Sequence, residues 1–96
     1  MIKISKIYDE YVSRVYNIAL HYVRHIPDAE EITQDVFIKI HESIENFNQD
    51  SQLATWIHRI TVNTALDHLR KQNARKRRFI LSMDNSVLMA STDHVH

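Results

Sequence analysis

Asp28-Ala29-Glu30-Glu31-Ile32-Thr33-Gln34-Asp35-Val36-Phe37-Ile38-Lys39-Ile40 is the stretch on which the fold turns. Ala29, Ile32, Val36, Phe37 and Ile40, with Ile44 beyond, recur at three- and four-residue spacing, the mark of a helix with one buried side. At about 100° per residue, Glu31, Asp35 and Glu42 project together on the opposite side, with Gln34 and Ile38 beside them. This spacing predicts an amphipathic helix from roughly Ala29 to Asn46 with an acidic back. Pro27 disfavours helical geometry at Ile26, so Asp28 is expected to cap the helix, with Glu30 and Glu31 at its positive end.

Similar patterns flank this segment. Upstream, Tyr8, Tyr11, Val12, Val15, Ile18, Ala19, Tyr22 and Val23 predict a helix from roughly Ser5 to His25. Downstream, the polar connection Asn46-Phe47-Asn48-Gln49-Asp50-Ser51 offers Asp50 or Ser51 as an N-cap. A third helix is expected from roughly Gln52 to Arg75, with Leu53, Trp56, Ile57, Ile60 and Thr64 inward. Val62, Ala65, Leu66 and Leu69 broaden its apolar surface, and Thr55, Arg59, Asn63 and Arg70 form a polar edge elsewhere on it. After Arg78 the periodicity dissolves, and residues 80–96 read as a tail or linker.

Composition narrows the class. The 96 residues suffice for one small domain. There is no Gly, and Pro27 is the sole proline, so the tight hairpins of a sheet fold have no turn residues to build on. The expected fold is all-α, a compact bundle of three main helices with a partly ordered C-terminal tail. The absence of Cys removes disulfides and thiolate metal sites and fits a reducing, cytoplasmic setting. No apolar run has the length of a signal peptide or a spanning helix.

The formal charge of zero conceals two opposed blocks. Asp28 to Asp50 holds seven acids against Lys39, a net of −6, and Arg59 to Arg78 holds seven bases against Asp67, a net of +6. Such asymmetry suggests a basic face that seeks a polyanion and an acidic face that meets something basic. Four consecutive bases, Arg75-Lys76-Arg77-Arg78, favour nucleic acid. His21 and His25 stand four apart, yet no third ligand follows at clear spacing, so no metal or other cofactor is expected. No nucleophile–base or paired-carboxylate arrangement stands out, so the chain is not expected to be an enzyme.

Two stretches carry a family resemblance. Asp28 to Ile40 resembles the helix by which bacterial sigma factors grip RNA polymerase. Phe47 to Ser51, followed by Thr55-Trp56-Ile57-His58-Arg59-Ile60-Thr61-Val62-Asn63-Thr64-Ala65-Leu66-Asp67-His68-Leu69-Arg70-Lys71, resembles their promoter-melting and minus-ten-reading segment. In this order and spacing the two are similar to region two of the extracytoplasmic-function (ECF) sigma factors, across most of residues 8 to 78. The family commonly has Gly where Gln49 stands and an aromatic where Leu53 stands. It also continues into a second domain that reads the minus-35 element, so the resemblance implies a region-two domain over 1–79 and a linker toward an absent second domain over 80–96.

The resemblance further implies transcription initiation: binding core polymerase, then recognising and melting the minus-ten element. Phe47, Asn48, Asp50 and Ser51 would form a pocket for a base flipped out of the non-template strand. Arg59 and Asn63 would flank it, while Arg70, Lys71, Arg75, Lys76, Arg77 and Arg78 would hold phosphates. Trp56, spaced with Leu53 and Ile60, reads as core that shapes the loop, with an edge near the DNA; Phe47 fits core and site equally. Glu31, Gln34, Asp35 and Ile38 would meet the clamp helices of the polymerase's largest subunit. An anti-sigma factor covering either face is a further partner the family implies. A polymerase- or regulator-binding module that does not read DNA, and a duplex-binding repressor, remain alternatives at this point.

Overall fold

The computed structural model describes residues 3–47 and 52–91, with side chains described through residue 84. Helix α1 spans Ile4–Val23, α2 spans Ile26–Ser43 and α3 spans Leu53–Ser91, with a 3-10 turn at Ile44–Asn46 closing α2. Each α-helix packs against the other two, and there is no strand among the described residues.

The core is a set of narrow stripes. Ile7, Tyr11, Val15 and Ala19 of α1 repeat every four residues, the ridge that fits between the side chains of a neighbouring helix. They meet Ala29, Ile32, Val36, Phe37 and Ile40 of α2 and Ile57 and Ala65 of α3. Tyr8 and Tyr22, expected inward, are exposed, and Ile7 takes the buried place. Tyr8 still sets its ring edge on Phe37, with centroids 4.9 Å apart. Three threonines share the interior, and each donates its hydroxyl to the carbonyl four residues back: Thr33 to Ala29, Thr61 to Ile57 and Thr64 to Ile60, all at 2.7 Å. Their hydroxyls are thus satisfied within their own helix, which is how polar side chains sit in this core without unpaired groups.

Two boundaries differ from the sequence reading. Arg24 ends α1 in the left-handed conformation (φ 51°, ψ 36°), its N–H donating to the Leu20 carbonyl at 2.7 Å. His25 then takes the extended cap geometry, so α2 begins at Ile26 and Asp28 lies inside its first turn instead of capping it. The first N–H groups of a helix have no acceptor within it, so Pro27 costs no hydrogen bond there. The second difference is larger: α3 does not stop near Arg75 but runs 39 residues to Ser91. Neither Gly nor Pro interrupts it between Leu53 and Ser91. At about 1.5 Å per residue it rises roughly 58 Å, and it sets the 70 Å long dimension of the molecule. From Arg70 to Asp84 every residue is exposed, including Phe79 at 64%, so this half of α3 projects beyond the bundle.

Candidate functional site

The outer edge of α3 is polar and solvent-facing. Thr55, Arg59, Asn63 and Arg70 are all exposed, and their spacing sets them along one side. Leu66, expected to widen the packing surface, is exposed on this same side, between Asn63 and Arg70. Helical spacing continues the edge to Arg77. Four consecutive residues on a helix spread over about 300°, so Arg75, Lys76, Arg77 and Arg78, all exposed, point in different directions.

At the start of α3, Phe47 and Trp56 pack ring on ring, with centroids 4.9 Å apart and planes tilted by 41°. Both are half-buried, and Trp56 also packs on the core, so it acts as the floor on which Phe47 is held. Phe47 follows the 3-10 turn, and its N–H donates to the Ile44 carbonyl at 3.1 Å. The pair fixes where the chain leaves α2. Asn48, Asp50 and Ser51, the other expected pocket residues, lie outside the described residues.

The outer face of α2 presents Glu31, Gln34, Asp35 and Ile38, all exposed, with Ile38 an apolar centre among polar neighbours. These four expected residues are brought together. The two charge blocks, however, are not wholly separate faces. Glu31 and Asp35 of α2 share a groove of about 380 Å³ with Lys71 and Arg75 of α3, so these two bases stand away from the Arg59–Asn63 edge. Within α3, Lys71 also pairs with Asp67 at 3.2 Å, and that hydrogen bond and charge hold the Asp67 carboxyl below its usual range.

A polar network not legible in the sequence ties the two helices at this groove. The Gln72 amide donates to Asp28 Oδ2 at 2.7 Å, and His25 Nδ1 lies 3.1 Å from the same oxygen. The Gln72 hydrogen bond chiefly, with the charges of His25 and His68, lowers the Asp28 pKa against the opposing effect of burial. His68 reaches Glu31 Oε2 at 3.2 Å through Nδ1. Further along the same two helices, Lys39 Nζ donates to Thr64 Oγ1 at 3.0 Å, beside a cleft of about 260 Å³ that Asn63 also lines. Among the described residues no three His, Asp or Glu side chains gather closely enough to hold a metal ion. No described helix is long and apolar enough to cross a membrane.

The geometry is therefore an exposed basic and amide-bearing edge on α3 and an exposed acidic face on α2, both mounted on one core. Comparison with known proteins gives this arrangement its family. The family model for Sigma-70 region 2 matches residues 7–75. The chain is 32% identical over 66 residues to the RNA polymerase sigma-H factor of Pseudomonas aeruginosa, covering 69% of this chain and 34% of that protein. It is 30% identical over 68 residues to the ECF RNA polymerase sigma factor SigW of Bacillus subtilis, covering 71% and 36%. It is 38% identical over 65 residues to the ECF RNA polymerase sigma-E factor of Haemophilus influenzae, covering 68% and 34%. The chain thus spans about a third of the length of these relatives, and within that span it belongs to the Sigma-70 region 2 family, in the ECF group of sigma factors.

Proposed function

We propose that the chain is the sigma-factor domain that joins core RNA polymerase to promoter DNA in bacterial transcription initiation, a binding role and not a catalytic one. The observation that carries this reading is the presence of two exposed faces of opposite chemistry on one core. Glu31, Gln34, Asp35 and Ile38 on α2 meet the clamp helices of the largest polymerase subunit. A carboxylate desolvated against Arg at such an interface can matter by a few kcal/mol, far more than the same group in open solvent.

The α3 edge reads the non-template strand of the minus-ten element. Extruding a base costs a few kcal/mol, least where pairing and stacking are weak, so the element is A·T-rich. A pocket built from Phe47, Asn48, Asp50 and Ser51 offsets that cost by receiving the flipped base, with Trp56 beneath Phe47 as its support. The Asn63 amide offers a donor and an acceptor to a base edge, and Arg59 one turn away supplies charge. Arg70 and Arg77 extend the cationic track, with Lys71, Arg75, Lys76 and Arg78 as more dispersed phosphate contacts that position without specifying. Residues 1–79 form the domain, and 80–96 lead toward a further DNA-reading domain. An anti-sigma factor would act by covering either face.

Separable variants test this reading. Asn63→Ala should lose affinity for a minus-ten-like single strand and keep polymerase binding, and Asp35→Arg should lose polymerase binding and keep the strand. Glu45→Arg, in the 3-10 turn that follows α2 and outside the proposed contact, should cost less polymerase binding than Asp35→Arg. Equal losses for the two charge reversals would overturn the placement of the polymerase contact.

A further inference from the structure

The inward stripe of α3 does not end where the bundle ends. Ile57, Thr61 and Ala65 are buried at three- and four-residue spacing with His68 and Gln72, which meet Glu31 and Asp28 of α2. The same spacing carries the stripe on through Lys76 to Phe79 and Met83, with Ile80 alongside. There it meets solvent: Phe79 is 64% exposed, Met83 51% and Ile80 47%. Phe79 and Met83 lie about 140–180° round the helix from the Asn63–Arg70 edge, so the strand-reading side does not account for them. Three large apolar side chains adjoining on a projecting helix form a patch, and such patches mark interaction sites.

The patch has a basic rim. Residues 70–84 carry six bases against Asp84 alone, and Arg75 and Lys76 stand four and three positions before Phe79, one turn away. An occupant must therefore be apolar at its centre and acidic around it. The outer face of α2 has that composition. Ile38 is 56% exposed, with Gln34 and Asp35 one turn before it, Glu42 one turn after, and Glu31 next to Asp35. Acids thus lie on both sides of Ile38 along the helix. Phe79 and Met83 laid over Ile38 bring Arg75 and Lys76 to a carboxylate in either direction of run: to Asp35 and Glu31 when the helices are parallel, to Glu42 when antiparallel. A groove of about 510 Å³ between α1 and α2 shares Gln34 with this face. Tyr8, Tyr16, Ile26 and Glu30 line it, and no base does among the described residues, so it has room and chemistry for the edge of a basic, apolar helix.

α3 is one continuous helix, so its projecting half is carried away from α2 and not folded back onto it. A second chain is what brings the two surfaces together. We propose that copies of this chain dock on one another, the projecting half of α3 of one against the outer face of α2 of the next. The contact joins two different surfaces, so it is heterologous. Its small, partly charged sides make it weak and salt-sensitive. A docked copy covers Glu31, Asp35 and Ile38. That this shuts out polymerase rests on the reading of α2 as the polymerase contact; the docking itself does not.

Sedimentation velocity of the 96-residue chain over a concentration series tests the docking. The sedimentation coefficient should rise with concentration. Association should weaken at least about fivefold between about 0.1 M and about 1 M salt, as the screening length falls from about 10 Å to about 3 Å. Phe79→Ser and Ile38→Arg fall on exposed side chains outside the core, so both variants should fold, and each alone should lose association. Mixed, they should recover it, because one supplies an intact α2 face and the other an intact α3 arm. Arg77→Ser, on the opposite edge of α3, should retain it. A single monomeric species at every concentration overturns the proposal, as does a mixture that stays monomeric. Association lost in Phe79→Ser and kept in Ile38→Arg overturns it too, since arms would then be pairing with each other. Titration with core polymerase, at concentrations where the wild type associates, separates the consequence. Phe79→Ser should bind with higher apparent affinity than the wild type; equal affinity keeps the docking and removes the α2 face from the polymerase contact.

Discussion

Replacing Ile57 by alanine strikes the point where α3 meets both other helices. Ile57 is 1% exposed and belongs to the single buried cluster. The change removes three carbons from a dry site, a transfer loss of ~2.4 kcal/mol at about 0.8 kcal/mol per buried carbon. The cavity left behind adds to this, because helices held by small side chains such as Ala19, Ala29 and Ala65 have little room to close further. The expected total is about 3–4 kcal/mol, a large part of the roughly 5–10 kcal/mol expected for a domain of this size. Thr61, one turn on and 0% exposed, supplies the control. Its hydroxyl donates to the Ile57 carbonyl at 2.7 Å, and that carbonyl also lies four residues before the Thr61 N–H within α3. Thr61→Val therefore leaves no orphaned group and should cost under about 1 kcal/mol. Urea titration followed by far-UV circular dichroism reads both. With a slope of about 1 kcal/mol per molar urea, Ile57→Ala should move the midpoint by about 3 M and Thr61→Val by less than about 1 M. A cost below about 1 kcal/mol for Ile57→Ala, or equal costs for the two variants, would refute the account of the core.

Two further outcomes follow from the charged groups. Asp28 titrates below its ordinary value in the folded state, chiefly through the Gln72 hydrogen bond, so its contribution is complete above the unfolded carboxylate value of about 3.9 and is lost as pH falls through the lower folded value. Gln72→Ala should therefore flatten the acid limb of a thermal-melting profile below about pH 4 and change it little near neutrality; an unchanged acid limb would contradict the assignment. In single-strand binding, Arg77→Ala should reduce the salt slope by about 0.7 for the loss of one phosphate contact. Lys71→Ala should change it less, because Lys71 pairs with Asp67 and lines the α2–α3 groove beside Glu31 and Asp35. The reverse ranking would mean that the strand runs along the groove and not along the Asn63 edge.

Much of the fold was legible because burial leaves a period in the sequence. Ala29, Ile32, Val36, Phe37 and Ile40 were readable as a core face, and all five are buried. What buries nothing leaves no period, and this is why the continuation of α3 to Ser91 could not be read: residues 70–84 touch solvent all round, so the pattern dissolves while the helix does not. Its only signal was negative, the lack of Gly and Pro. The left-handed Arg24 was invisible for a related reason, since the usual marker of that conformation is Gly. For the candidate site, single-helix geometry carried over well: Arg59, Asn63 and Arg70 share an edge, and Glu31, Gln34, Asp35 and Ile38 share a face. Geometry between helices did not. Asp28 and Gln72 are 44 positions apart, and no spacing rule links them. The meeting of Lys71 and Arg75 with Glu31 and Asp35 likewise depends on the crossing of α2 and α3, which charge counting along the chain cannot supply.

The central claim, that the α3 edge reads a melted strand in the company of polymerase, is tested most directly by fluorescence anisotropy. A labelled A·T-rich, minus-ten-like single strand is titrated with the chain and compared with its own duplex, with and without core polymerase. The expected result is preference for the single strand, sharpened by polymerase and weakened in Asn63→Ala. Preference for the duplex that polymerase does not alter, or no strand binding despite polymerase association, would contradict it.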